Sequence, residues 1–336
     1  MDVNIVKIAK EAKTSIATVS RVVNNPEKVR SSTRRKILEI IEAYGYQPKI
    51  KKNKTTNICV LINDKKPIFS TYISEIFNGI VDTTTEMNLE QTTIFIDENT
   101  HKQLIMDKLR RQKVDAGILL LTHPKTPYLQ YLKKEKFPFI LINNSASSNF
   151  NYIDTDNYAG VYQALEYLYQ LNHKKYILLL DDTKFANYQK RKEAFQQFCK
   201  DKNLPQQRIF ELKNLKNYSN LLPTEQGFYF MEELIKTGFD ETTILASNDN
   251  SAMGILSSCY IHNINVPEDL SVMGYDNYKN SNFTVPALTS INQNLYNLGR
   301  EAVLSALSLY NARDKNKIHK IFPSDLAIRK SVKPLS

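Results

Sequence analysis

Tryptophan is missing from these 336 residues, and cysteine, with three copies, methionine, with six, and glycine, with nine, are scarce. Cys59, Cys199 and Cys259 are odd in number, far apart and outside any CxxC pair. That excludes a disulfide framework or a cysteine zinc site and points to reduced, buried thiols. The few glycines include no GxGxxG and no GxxxxGKS/T run, so no glycine loop cradles a nucleotide phosphate. No apolar run approaches the roughly 20 residues needed to cross a bilayer. The first residues read as a charged, capped helix rather than a signal peptide, so a cytoplasmic protein is expected, with no membrane partner. The five histidines, at 101, 123, 173, 262 and 319, stand alone, with no HExxH and no GxSxG nearby. Asp181 and Asp182 are adjacent at a strand end, where neighbouring side chains point apart. No catalytic set emerges. An enzyme, a metal site and a cofactor are therefore not expected.

Positive charge is present, and it is local. Residues 1–57 hold thirteen Lys and Arg against five Asp and Glu, so they carry eight of the ten net positive charges. A basic head on a near-neutral body implies phosphate contacts made by one small domain. Lys49, Lys51, Lys52 and Lys54 form its densest part, and the first three are expected phosphate contacts beside the reader that precedes them.

Residues 5–46 have the pattern of a helix-turn-helix. Ile5, Ile8, Ala9 and Ala12 give a first amphipathic helix; Ser15 caps a second that runs from Ile16 to Asn24. Ile16, Val19 and Val23 form its expected inner face. Its outer face is small and polar around one arginine, so that it can approach base edges closely. Ser15, Ile16, Ala17, Thr18, Ser20, Arg21 and Asn24 are the expected DNA contacts, with Arg21 long enough to bind guanine O6 and N7 bidentately.

From Asn57 onward short apolar runs alternate with amphipathic stretches. Strands are expected over 58–62, 92–96, 116–121 and 139–142, with helices over 73–88, 101–112 and 126–135 between them. A second such unit has strands over 176–180, 243–247 and 270–275 and helices over 157–171, 188–202, 224–236 and 249–263. Two doubly wound parallel α/β lobes imply a cleft. The loops starting at Asn63, Asp97, Asp181, Asn248 and Tyr275 should converge on it, outside the carboxyl ends of the strands.

Seven segments together resemble the lactose/galactose repressor family of bacterial transcription regulators: IATVSRVVNNPEKV at 16–29, RRKILEIIEAYGYQP at 34–48, DTDNYAG at 154–160, LNHKKYILLL at 171–180, SNDNSAMG at 247–254, VPEDLSVMGYDN at 266–277 and PALTSINQN at 286–294. The resemblance implies a head at 1–47, a hinge at 48–57 and a core at 58–336 of periplasmic-binding-protein type, its lobes joined by three crossovers near Asp154, Ile291 and Ile318. The first lobe would then take about 58–154 and 291–317, the second about 155–290 and 318–336. It also implies a repressor of a sugar-utilisation operon, bound to a near-palindromic operator in the bacterial cytoplasm, on the nucleoid, and controlled by a sugar or sugar phosphate. The alternative is a sugar-binding module or a relic enzyme of sugar metabolism carrying a basic head.

Two departures from the family pattern stand out. Lys13 occupies a turn position where family members carry glycine, and the short hinge has no leucine to wedge into the minor groove, with Ile50 as a lesser substitute. An extended basic tether following phosphates is the expectation there. In the core, Arg191 matches the family arginine that serves sugar hydroxyls, and Asn248, Asp276 and Gln293 fall at matched positions. Asn248 equally suits the N-cap of a helix, and Asp249 or Asp276 could cap as well. Phe69, Tyr72, Tyr188 and Tyr275 are candidates to stack on a sugar face or, alternatively, to pack in the core. No leucine heptads follow the strand-like LAIRKSV near Ser336, so a homodimer rather than a tetramer is expected.

Overall fold

The structure is a computed structural model. It describes residues 4–335 apart from 25–27, 45, 47–54, 64–69, 98–99, 124, 144, 146–148, 182, 184, 206, 213–220 and 312–316. Lys49, Lys51, Lys52 and Phe69 lie outside the described residues, as does most of the hinge. The chain divides into two units, 1–55 and 56–336.

The first unit holds three helices, α1 (Ile5–Glu11), α2 (Ile16–Asn24) and α3 (Ser31–Ala43). Asn4 caps α1 by accepting from the backbone of Val6 and Lys7, both at 3.1 Å, and Ser15 Oγ caps α2 by accepting from Thr18 N at 3.1 Å. Lys13, between them, has φ 50°. The turn is therefore left-handed, the conformation that glycine adopts without penalty. Ile8, Ala9, Ala12, Val19, Val22 and Ile37 form the small core. The inner face of α2 thus differs from expectation. Val22 is buried, Val23 is half-buried, and Ile16 is 47 % exposed. Because α3 also packs on α2, the buried stripe shifts toward Val22, one helical step round from Ile16.

The second unit is built on two six-stranded sheets. In the first lobe β1 (Asn57–Asn63), α4 (Thr71–Glu86), β2 (Glu90–Ile96), α5 (Lys102–Arg111), β3 (Ala116–Leu120), α6 (Pro127–Lys134), β4 (Phe139–Ile142) and β5 (Tyr152–Thr155) follow in turn. The chain then enters the second lobe with α7 (Asn157–Gln170), β6 (Tyr176–Leu180), α8 (Ala186–Asp201), β7 (Arg208–Glu211), α9 (Pro223–Thr237), β8 (Thr243–Leu245), α10 (Asp249–Ile261), β9 (Ser271–Asp276) and β10 (Thr289–Asn292). It returns for α11 (Leu295–Asn311) and β11 (His319–Phe322), and ends in the second sheet with β12 (Asp325–Ala327). The orders are β11-β5-β4-β3-β1-β2 and β12-β10-β9-β8-β6-β7, parallel throughout except for β12, which runs antiparallel to β10.

Both faces of each sheet are covered, which is why the strands read as continuous apolar runs. Ile58, Val60 and Ile62 of β1 pack toward α4 and α11, while Cys59 and Leu61 pack toward α5 and α6. In the second sheet Ile177 and Leu179 face α9 and α10, and Tyr176, Leu178 and Leu180 face α7 and α8. Glycine, scarce as it is, is used where helices touch. A Cβ on Gly254 of α10 would sit 1.9 Å from the Thr224 carbonyl of α9, and one on Gly227 of α9 equally close to the Ser251 carbonyl of α10. All three cysteines are free, and burial pushes the Cys59 and Cys259 thiols up to about 12.

The lobes are joined at three crossings, after β5, after β10 and between β11 and β12. The third corrects the expected boundary near Ile318: β11 still pairs with β5 in the first sheet, so the chain crosses at 323–324. As an edge strand with three exposed residues, β11 lacks the apolar run that would mark it. The crossings are tied together. Thr155 Oγ1 donates to the Gln293 carbonyl at 3.3 Å, Asp156 N to the Phe322 carbonyl at 2.8 Å, and Ser324 Oγ to the Asp156 carbonyl at 3.0 Å.

Candidate functional site

A cavity of about 250 Å3 lies between the lobes, at the carboxyl ends of the strands. Tyr72, Tyr188, Arg191, Asn248, Asp276 and Gln293, all expected from sequence, line it. Tyr275 does not. It is 1 % exposed and lies behind the wall, where the Arg191 guanidinium stacks on its ring at 3.4 Å. On a strand with both faces buried, successive side chains point to opposite faces, so Tyr275 and Asp276 diverge. Asn63 and Asp97 also stand apart from the described wall. Asn63 instead donates its amide to the carbonyl of Leu121, a wall residue, at 3.3 Å.

Arg191 organises the site. It is 2 % exposed on α8; Nε donates to Asn157 Oδ1 at 2.9 Å and Nη1 to the Ser247 carbonyl at 2.7 Å, which leaves Nη2 for a ligand. The Tyr188 ring centroid lies 5.0 Å from its Cζ. Asn157, fully buried at the start of α7, also accepts from Tyr275 Oη at 3.1 Å and donates to Asp154 Oδ1 at 3.2 Å and to the Thr155 carbonyl at 2.9 Å. Through Asn157 the arginine is fixed to the first crossing, not only to its own lobe.

Asn248 is the N-cap of α10 and also lies on the cavity wall. Its Oδ1 caps α10 by accepting from Ser251 N at 2.8 Å, and its side chain faces the cavity. Asp249 is a structural acceptor: it takes Tyr278 N at 2.8 Å and the hydroxyls of Ser281 and Ser290 at 2.5 Å, locking the end of β9 to β10. Gln293 donates its amide to Asp276 Oδ1.

Asp181, where a loop was expected to reach the cleft, lines the cavity, and sequence reading missed Asn143, Phe185, Asn187, Asn250 and Tyr278, which also line it. Asn143 donates its amide to Tyr72 Oη, and its own Oδ1, like Gln293 Oε1, is buried with no partner among the described residues. The backbone gives a signal that the sequence lacks. Leu121 and Asn143, which follow β3 and β4, and Asp276, which ends β9, have φ of 54°, 57° and 111°. Such left-handed strain gathers at ligand sites and persists because the surrounding sheets enforce it. Contacts that link the two lobes include Lys190 Nζ to Ser145 Oγ at 2.8 Å, Asn250 Nδ2 to Thr71 Oγ1 at 3.4 Å and Lys279 Nζ to Glu75 Oε2 at 4.0 Å.

Burial pushes the Asp276 carboxyl up to about 6 against the opposing pull of Arg191. Burial, with the charge of Asp276 added, pushes Asp249 up to about 7. Both folded values exceed the ordinary carboxylate value, so between about pH 4 and 7 the folded core holds protons that the unfolded chain has lost. That contribution to stability is complete at low pH and fades as pH rises through 6 to 7, at up to about 1.4 kcal/mol per unit and group. Urea midpoints at pH 5.5 and 8 should therefore show a steeper fall in wild type than in Asp249→Asn. Equal slopes in the two proteins would contradict the assignment.

On the head, Ser15, Ile16, Ala17 and Arg21 are exposed, and Thr18 and Ser20 are half-buried beside them on α2. The description of Asn24 stops at its backbone, as the last residue of α2. The exposed row is the outer face expected of a recognition helix, with small residues beside one long arginine. Among the described residues no helix is long and apolar enough to cross a membrane.

Residues 4–49 match the model of bacterial regulatory proteins of the lacI family, and residues 165–332, half of the chain, match the periplasmic binding protein-like domain. Catabolite control protein A of Priestia megaterium is 28 % identical over 99 % of this chain and 100 % of its own. The lac repressor dimer bound to operator and the anti-inducer ONPF superimposes with TM-score 0.81 at 21 % identity, over 99 % of this chain and 100 % of that one. A lacI-family transcriptional regulator from Enterococcus faecium with bound ribose superimposes with TM-score 0.71 at 25 % identity, over 84 % and 100 %. The chain belongs to the lacI family, a family of DNA-binding transcription regulators rather than enzymes, and its core is a periplasmic binding protein-like domain.

Proposed function

We propose that the protein is a repressor that binds a near-palindromic operator as a homodimer in the bacterial cytoplasm and releases it when a small sugar fills the cleft. The observation that carries the effector half of this reading is the cavity itself. It combines rings, amides, two carboxylates and one clamped arginine between two lobes whose three crossings are hydrogen-bonded to one another. A ligand touching both lobes favours their closure. In the dimer, closure turns the first lobes against each other and shifts the hinges, so the heads lose register with half-sites one turn of DNA apart. Residues 1–47 act as the reader, and the basic segment 48–57 as a tether along phosphates. The likeness to a ribose-bound regulator supports the sugar class. A gel shift with DNA flanking the protein's own gene, run with and without a sugar panel, tests both halves. Failure to bind that DNA specifically, or indifference to every small molecule tried, would count against the proposal.

Dimerisation is supported by an apolar surface on the second lobe. Tyr260 is 85 % exposed and Ile261 60 % on α10, while Phe283 is 83 % and Val285 92 % exposed on the loop before β10. The loop lies against the first half of α10, where Met253 accepts from Asn280 Nδ2 at 3.8 Å in the turn that precedes Phe283. A patch of this kind covers itself when two copies meet across a twofold axis. Light scattering at micromolar concentration should give a dimer for wild type and a monomer for the Tyr260→Asp, Val285→Glu double variant. A monomeric wild type would remove the proposed interface.

A further inference from the structure

Building on the sugar reading, we infer that the cavity takes one uncharged sugar ring and rejects its phosphorylated form, with Asn143 Oδ1 and Gln293 Oε1 each receiving a ligand hydroxyl. Both oxygens are buried with no partner among the described residues, and both amides are oriented by the same device. The Asn143 nitrogen is held by Tyr72 Oη and the Gln293 nitrogen by Asp276, which leaves each carbonyl oxygen, on a residue of the cavity wall, to be met by another donor. A buried acceptor without a donor is costly, so the occupant must donate at two points, one on the first lobe and one at the second crossing. Hydroxyls donate and accept; phosphate and carboxylate oxygens only accept.

Charge points the same way. Among the described wall residues Asp276 faces a single cation, Arg191, whose Nε and Nη1 are already used on Asn157 and the Ser247 carbonyl. Lys190 next to it donates to Ser145 Oγ, and Ser145 N donates to the buried Asp154 at 2.9 Å. A dianion would bring its charge beside the Asp276 carboxylate with one donor edge to meet it. Size completes the argument. About 250 Å3 lies just below the roughly 300–1,000 Å3 of pockets for drug-sized ligands, a size that suits a single ring. Tyr72, Phe185, Tyr188 and Tyr278 supply the apolar faces on which the C–H side of a ring rests.

Calorimetry on the full-length protein at pH 7.5 would compare neutral pentoses and hexoses with their phosphates and with disaccharides, each followed by an operator-binding assay. The expected result is a neutral monosaccharide that binds at least ~100-fold more tightly than its phosphate or any two-ring sugar. Monodeoxy analogues add a test that does not depend on a variant's folding: removing the hydroxyl that meets Gln293 should cost wild type at least ~10-fold and should cost Gln293→Met little. A phosphate that binds as tightly as its neutral parent, or a full deoxy series without loss, would overturn the inference and leave the sugar reading standing. If no sugar in either form binds or alters operator affinity, the sugar reading falls, and this inference with it.

Discussion

Arg191→Ala is expected to bind operator normally and to ignore the effector. The side chain is the cation of the cavity and the only long donor among its described lining residues, so its loss removes charge-assisted hydrogen bonds worth about 1.5–3 kcal/mol of ligand affinity, roughly 10–150-fold. The structure adds a second cost. Asp276 keeps a buried carboxyl beside the vacated guanidinium position, and Asn157 and the Ser247 carbonyl lose a donor. A buried acceptor left without its donor costs about 1–3 kcal/mol, so the core should melt earlier although the head is untouched. Arg191→Lys separates the two effects, because it keeps a positive charge near Asp276 but lacks the fork that holds Asn157 and Ser247 together. It should recover most of the stability and little of the affinity. Normal effector response in Arg191→Ala would show that the arginine serves the fold alone.

How much of this was legible in sequence depends on whether a residue's job is periodic. The strands β1, β3, β4, β6 and β9 announced themselves as apolar runs because both of their faces are buried. Short strands at or near sheet edges did not: β7, β11 and β12 carry charged or half-exposed residues, and β11 moved the third crossing accordingly. The helix α11, over a stretch for which the pattern offered only a lobe assignment, packs its glycine-bearing face on α4 after the chain has crossed back. At the site, Arg191, Asp276 and Gln293 came from matched motifs. Their orientation did not, because it is set by Tyr275, Asn157 and the left-handed turns at Leu121 and Asn143, which no spacing rule encodes. The misassigned Tyr275 is instructive. An aromatic beside a ligand residue on a doubly covered strand points to the opposite face, and here it braces the arginine from behind.

The same distinction governs the head, where α2 was legible as a capped helix but its inner face was one step out. Val22 takes the buried place expected for Ile16, and Ile16 joins the outer row with Ala17 and Arg21. An exposed isoleucine at the start of a recognition helix is suited to meet a thymine methyl, while the small residues beside it let the helix sit deep in the groove.

Arg21→Ala should therefore change what the protein reads and not only how tightly it binds. Arg21 is exposed in the last turn of α2, outside the apolar core of the head, so alanine, a good helix former, leaves the fold intact. A bidentate arginine–guanine contact is worth about 1–3 kcal/mol of discrimination, and a dimer on a palindrome makes it twice, once in each half-site. Operator affinity should fall by up to the square of the single-site factor, while affinity for unrelated DNA changes little, and preference at one guanine per half-site should relax. Lys51→Ala gives the contrasting signature expected of a phosphate contact: weaker binding to every sequence alike and a shallower dependence on salt. Selection of binding sites from random DNA by wild type and Arg21→Ala, with salt titrations of both variants, reads the two signatures separately. An unchanged site preference in Arg21→Ala would remove the arginine from the reading face, and a salt slope equal to wild type in Lys51→Ala would remove the tether from the phosphates.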